Sequence, residues 1–270
     1  MLIKGQRDYT ILTEQEQEHV REAEIYISNF KQRGIPMNAL SEYHKILPNA
    51  FYHFNTIFPN NYLNTSVLKD IEKLDLLESD YRKLLDSDIG ERELLNFINK
   101  GTNYNIIASL FHSGYDFGHH EAFLFKEFEL TSTFKADYLL IGKASDGYSF
   151  IFVELESPYG QITLKDGEFG LSFRKGIKQV EDWDSWIEGN FSSLKLIFNK
   201  YKSPNKNLPN EFLTLDKSRI HYTVISGRRS DFNDKTYELK RKYLRRNNIK
   251  ILHYDNIFGY LDHLKRARNY

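Results

Sequence analysis

Asp137, Glu154 and Glu156 are the residues of this chain whose types and spacing best suit catalysis. They lie in the run FKADYLLIGKASDGYSFIFVELESP, residues 134–158. That run reads as two apolar strands, 136–142 and 148–155, joined by a Ser145-Asp146-Gly147 turn. Side chains alternate along a strand, so Glu154 and Glu156 project to one face. A tight hairpin with an even-numbered loop sets Asp137 opposite Glu154 or Glu156, and either register puts all three carboxylates on that face. Acids converging at the end of a strand rich in Phe, Ile and Val are unfavourable unless a cation satisfies them. A divalent metal ion does this with hard oxygen ligands. The plainer reading is a pair of solvated strand-end glutamates, with Asp137 capping a turn or pairing with Lys135 or Lys143.

The elements that must position this hairpin are legible in order. Residues 1–12 alternate loosely, as a short strand or arm. Thr13 with Glu16 three residues on is a capping-box start for a helix that runs until Gly34-Ile35-Pro36. An aromatic segment with Tyr52, Phe54, Phe58 and Tyr62 follows, and 67–85 has helical periodicity in Leu68, Ile71, Leu74, Leu77, Tyr81 and Leu84. Helices are expected over 91–100, closed by Gly101, and around 104–111. A strand at 121–130 then leads into the hairpin. Beyond Pro158 a glycine-containing loop precedes a helix over 173–188, with Ile177, Val180, Trp183 and Ile187 on one stripe. Strands at 194–198, 219–225 and 249–254 and helices at 234–246 and 256–266 complete the chain. Strands alternating with helices after an antiparallel hairpin specify an α/β fold, a mixed sheet flanked by helices. We divide the chain into a mainly helical accessory or sensor region over 1–86 and a site-bearing domain over 87–270.

Bulk properties narrow the classes. A chain of 270 residues buries a real core, and 18 Tyr with 20 Phe suit packed sheets rather than disorder. Lys plus Arg number 37 against 37 Asp plus Glu, so any nucleic-acid site must be local rather than a global field. The absence of cysteine excludes disulfides and Cys-based zinc sites. Nothing at the N-terminus reads as a signal peptide and the apolar runs are of strand length, so we expect a soluble, cytoplasmic protein without membrane partners. His19, His44 and His53 are scattered, as satisfied or exposed histidines are.

Gln179 extends the acid cluster. It lies on the first helix after the acidic strand, in Arg174-Lys175-Gly176-Ile177-Lys178-Gln179-Val180. Hairpin Asp, strand-end Glu-x-Glu and a following helix with an inward polar residue resemble the restriction-endonuclease-like, or PD-(D/E)XK, nuclease core. Glu156 stands where that core usually carries Lys. ELESP at 154–158, KQVEDW at 178–183, HYTVISGRR at 221–229 and IKILHYDNIF at 249–258 form an ordered set. That set resembles the nuclease domain of the Shedu family, prokaryotic anti-phage defence nucleases that join variable N-terminal regions to a shared C-terminal domain. The likeness spans residues 87–264.

The resemblance implies a restriction-endonuclease-like sheet and a metal-dependent DNA endonuclease acting on phage DNA. Asp137 and Glu154 would hold Mg²⁺, with Mn²⁺ as a substitute, and Gln179 would assist. A family glutamate on the helix before the hairpin maps onto Glu91, with Glu93 as competitor. Glu156 either accepts a proton from the attacking water or holds a second ion, typically ~4 Å from the first. Lys175 shares a helix face with Gln179 and is a candidate for the missing cation and for DNA contact. For both, the plainer role is an exposed helix side chain. Arg228 and Arg229, at a Gly turn after a strand, are the best phosphate contacts in the basic run that continues to Lys250. His119, His120 and Glu121 alternate faces on a strand and are structural. We expect DNA and further copies of the chain as partners. The rival readings are a catalytically silent nuclease-fold module that binds nucleic acid or protein, and an interaction protein using its aromatic N-terminal region.

Overall fold

A two-residue turn, Ser145-Asp146, sets the register on which the sheet is built. It joins β2 (Lys135–Ala144) to β3 (Gly147–Leu155), with Ala144 paired to Gly147. Gly147 has φ +115°, a conformation side chains oppose, so glycine is required there. Pairing runs to Tyr138 against Val153, and the next rung of that register sets Asp137 against Glu154. β1 (Glu121–Glu129) pairs antiparallel with β2, while β4 (Ile220–Ile225) and β5 (Ile249–Leu252) add in parallel beyond β3. The result is one five-stranded mixed sheet in the order β1-β2-β3-β4-β5. The computed structural model describes residues 7–31, 34–64, 68, 70–87, 89–115, 117–118, 120–160, 162–164 and 167–266. The start of the expected arm at 1–12, the first residue of the helix expected over 67–85 and His119 lie outside the described residues.

Nine α-helices accompany the sheet among the described residues. α1 (Glu14–Ser28), α2 (Met37–Ile46) and α3 (Asn49–Phe54) form the N-terminal group. α4 (Ile71–Leu85), α5 (Glu91–Ile98) and the single turn α6 (Asn105–Ala108) precede β1. α7 (Leu171–Asn199) crosses from β3 to β4, α8 (Asp234–Asn247) from β4 to β5, and α9 (Asn256–Arg266) closes the chain. The α1 start carries the expected capping box, with Thr13 and Glu16 satisfying each other's backbone amides.

Strand alternation sorts the core into two layers. Ile151, Val153 and Leu155 pack with Tyr81 of α4, Leu94 of α5 and Leu261 of α9. Phe150 and Phe152 face the other way, toward Phe173, Trp183 and Phe198 of α7 and Leu239 of α8. Glu154 continues the second series, so its carboxylate points into the layer covered by α7. Across the expected division at 86/87 the contacts are dense. Leu63 N–H donates to Ala122 O at 2.9 Å, and Lys265 Nζ lies 2.6 Å from Asp75 and 2.8 Å from Glu78.

The strand expected at 194–198 is instead the last part of α7. The helix kinks at Asn190, whose φ of −134° is non-helical and whose side chain donates to Trp186 O. The helix expected to end at 188 continues through this kink, and the chain resumes helical geometry beyond it. A short apolar run has no period of its own; here the helical stripe of Ile187, Phe191, Leu194 and Phe198 is buried while Leu196 is 68% exposed. Phe198→Ala should therefore cost about 3–5 kcal/mol and Leu196→Ala less than about 0.5 kcal/mol, measured by urea unfolding. Similar losses at both positions would indicate a strand.

Candidate functional site

The three acids meet where β3 leaves the sheet. Asp137 accepts a hydrogen bond from the Leu155 amide at 2.8 Å, which draws its carboxylate across the strand end. Glu154 and Glu156 are only 5% and 2% exposed. Glu154 Oε2 and Glu156 Oε1 are buried without a hydrogen-bond partner. Lys175 Nζ donates to Glu156 Oε2 at 3.0 Å and stands 4.0 Å from Glu91 Oε2. Lys135 pairs with Glu127 and Lys143 with Glu121, so neither of the lysines offered as partners for Asp137 is committed to it.

Local sequence explains how these groups come so close. Gly176 faces Glu156 on α7, and a Cβ there would stand 3.0 Å from Glu156 Cγ and 2.8 Å from Val224 Cγ1. The missing side chain lets the helix lie directly on the strand end, which brings Lys175 within reach of the buried carboxylate. The Glu156 backbone is held by its own amide donating to Ile225 O at 2.9 Å and by the Tyr254 hydroxyl donating to its carbonyl at 2.6 Å. On α5, Glu93 accepts from the Gly90 amide and caps the helix, whereas Glu91 faces Lys175. Of the two candidate glutamates, Glu91 is the one beside the cluster.

Burial and crowding push the carboxylates up in pKa. Glu154 rises to about 10, first from burial and then from Asp137 and Glu156 beside it. Asp137 rises to about 6 through burial, with the Leu155 amide opposing. Burial raises Glu156 as well, resisted by its hydrogen bond to Lys175. For Lys175 burial pulls downward, but the Glu156 hydrogen bond and the surrounding carboxylates outweigh it. Lys175 thus pairs with two carboxylates, Glu156 and Glu91, while Glu154 has no cation in contact and is pushed toward its neutral form by burial and its acidic neighbours.

Gln179 is half-buried one turn beyond Lys175, on the face that Gly176 turns toward the sheet. Arg228 and Arg229 part company. Arg228 Nε donates to both Asp255 oxygens and its terminal nitrogens to Leu85 O, Asp86 and Asp255, so each nitrogen is already engaged inside the protein. This occupation does not suit it to phosphate. The Arg229 side chain is exposed. Lys250, at the end of the basic run, is buried with its ammonium on Ser113 O and over the Tyr115 ring, so it belongs to the core rather than a charged surface. His120 meets Ser145 and Glu121 accepts from Tyr148, consistent with structural roles.

Sequence reasoning passed over Gly176 and Tyr254. A glycine inside a helical pattern is a signal of close approach, and Gly176 carried it. Nothing local marked Tyr254, whose partner is distant in the chain. Among the described residues no group of three or more His, Cys, Asp or Glu side chains is disposed to hold a metal ion as it stands. The donor chemistry nonetheless fits a hard cation: two orphaned, buried carboxylate oxygens with a third carboxylate beside them.

The family model described as Shedu protein SduA, C-terminal, matches residues 77–258. None of the curated proteins matches the chain. No helix among the described residues is long and apolar enough to cross a membrane.

Because Asp137 and Glu154 have folded pKa values above their unfolded ones, they favour the folded state at low pH, and that contribution fades as pH rises through about 6 and then toward about 10. In EDTA, Glu154→Gln should melt higher than wild type at about pH 8, and its advantage should shrink toward about pH 5. Scanning fluorimetry across that range checks this; a pH-independent difference would mean that Glu154 is not held protonated.

Proposed function

The chain belongs to the Shedu family, whose role is anti-phage defence, and we propose on that basis that its carboxylate site is the centre of a metal-dependent DNA endonuclease. The observation that carries this reading is the pair of buried, unpartnered oxygens on Glu154 and Glu156 beside Asp137. Buried polar atoms are nearly always hydrogen-bonded, so two acidic oxygens with no protein partner at one strand end point to a ligand. The arrangement at the end of a mixed sheet also accords with a restriction-endonuclease-like core.

In this reading Asp137 and Glu154 are the ion's protein ligands. Bound Mg²⁺ supplies charge stabilisation at the scissile phosphate and a lowered pKa for a coordinated water. To hold the ion, Asp137 and Glu154 would have to be deprotonated, against the upward pull of burial on both. Lys175 takes the place of the strand lysine that Glu156 lacks. It holds Glu156 in one orientation and presents a positive charge at the mouth of the site, where phosphate enters. Glu91 steadies that lysine from the other side. Glu156 is the acceptor for the proton of the attacking water, and Gln179 lines the same helix face as a hydrogen-bonding group. Arg229 and the exposed Arg241, Arg245 and Arg246 of α8 are the proposed phosphate contacts, and the DNA would be that of a phage in the cytoplasm.

The second reading, a catalytically silent nuclease-fold module, draws on the finding that among the described residues no three acidic side chains already share a coordination point. Plasmid cleavage separates the two. With Mg²⁺ or Mn²⁺ the wild type should cut, Asp137→Ala and Glu154→Ala should be inactive, and Glu156→Ala should lose ~10²–10⁴-fold in rate. Lys175→Ala should lose roughly 10²–10³-fold, in the range for a lost electrostatic stabiliser. Crystals soaked in Mn²⁺ should show the ion on Asp137 and Glu154. A wild type that binds no ion and cuts no DNA would support the silent module. For binding, Arg229→Ala should lower the salt slope by about one, while Arg228→Ala should act on stability and leave the slope alone.

A further inference from the structure

We propose that the end of α4 positions Glu156 through Tyr254, by hydrogen bonds that cross the core. The functional meaning of this inference rests on the nuclease reading, but the positioning itself is tested without it.

Two separate links run from α4 to the strand end. In the first, the Tyr81 hydroxyl donates to Tyr254 O at 3.2 Å, and the Tyr254 hydroxyl donates to Glu156 O at 2.6 Å. Both tyrosines are almost wholly buried, so no water replaces either bond if it breaks. Tyr254 is also fastened to the turn that follows β4, because its amide donates to Gly227 O at 3.0 Å. The Gly227 amide and the Ser226 hydroxyl in turn donate to Ser157 O, each at 3.0 Å. Residues 156 and 157 are thereby clamped between the exit of β4 and the Tyr254 ring. In the second link, Leu85 O, on the final residue of α4, accepts from the Tyr159 hydroxyl and from Arg228. The last carbonyls of a helix lack partners within it and favour a cation, which Arg228 supplies. Tyr159 lies three residues beyond Glu156, and Arg228 follows the β4 exit.

Both strand exits that frame the site therefore end on one helical turn. A shift of that turn cannot leave Tyr254 in place without breaking a buried hydrogen bond, and Tyr254 has no slack toward Glu156. Glu156 has little room toward α7, because even a Cβ on Gly176 would stand 3.0 Å from its Cγ. Tyr254 is thus a positioning residue, one that touches the Glu156 backbone and none of the reacting atoms.

Hydrogen–deuterium exchange on the full-length chain tests this with wild type, Tyr254→Phe, Tyr81→Phe and Ile187→Val. The phenylalanine variants keep the rings and remove one hydroxyl each. Ile187→Val trims the core beneath α7, away from both links. Tyr254→Phe should speed exchange of the Glu156 and Gly227 amides by about fivefold or more, and Tyr81→Phe should do so in the same direction. Ile187→Val should leave those two amides no faster than the rest of the sheet. On DNA, Tyr254→Phe should lower kcat by about tenfold with KM unchanged, as a misplaced catalytic group does. Unchanged exchange at Glu156 in both tyrosine variants overturns the proposal, as does equal loosening by Ile187→Val. If the wild type cuts no DNA but exchange at Glu156 rises as described, the positioning stands and the nuclease reading falls. If the wild type cuts and Tyr254→Phe keeps full kcat with unchanged exchange, the positioning falls and the nuclease reading stands.

Discussion

Glu154 sits on the buried face of a central strand, in the place where Phe150 and Phe152 would predict another aromatic. The rest of the site follows from that burial. A carboxylate there cannot be ionised without compensation, and the nearest cation, Lys175, is hydrogen-bonded to Glu156 instead. The protein therefore holds a local electrostatic deficit, with Glu154 and Asp137 both driven toward their neutral forms. Such a deficit lowers stability at neutral pH and is a recurring mark of sites kept for binding or catalysis rather than for folding.

The helix above the strand end is shaped around this deficit. Gly176 removes the one side chain that would hold α7 away from Glu156, and Lys175 beside it turns the close approach into an ion pair. A glycine inside a helix costs about 1 kcal/mol relative to alanine, so its presence favours contact over helix stability. Trp183 and Ile187 further along the same helix are buried in the aromatic layer and hold the geometry rigid. The cation and the mid-helix anchor thus belong to one element, and a displacement of α7 would move both.

The end of α4, within the stretch that the family model matches, is fastened to this centre. Tyr81 and Leu85 pack in the same layer as Leu155, and Arg228 spends its guanidinium tying the end of α4 to Asp255. Arg228 illustrates how position in a chain misleads. An arginine after a strand at a glycine turn has the setting of a phosphate contact, but here it completes a helix terminus, leaving Arg229 as the member of the pair that faces solvent.

Alternation alone determined that Asp137, Glu154 and Glu156 share a face, because a hairpin with an even loop leaves no other parity. The two-residue turn confirms that logic. The periodicity of the surrounding helices and strands likewise specified a mixed sheet flanked by helices, and the quoted motifs carried the family. What the sequence did not determine depends on contacts between distant residues. Leu194–Phe198 is apolar enough for either strand or helix, and only packing against the sheet chose the helix. Glu91 and Glu93 are equivalent on paper until Glu93 is used as a cap. Tyr254 lies 98 residues from Glu156, and no local pattern announces a hydroxyl that will reach its carbonyl. Periodicity records which face a residue takes, a property of one element; partners are properties of two, and only the packed chain brings them together.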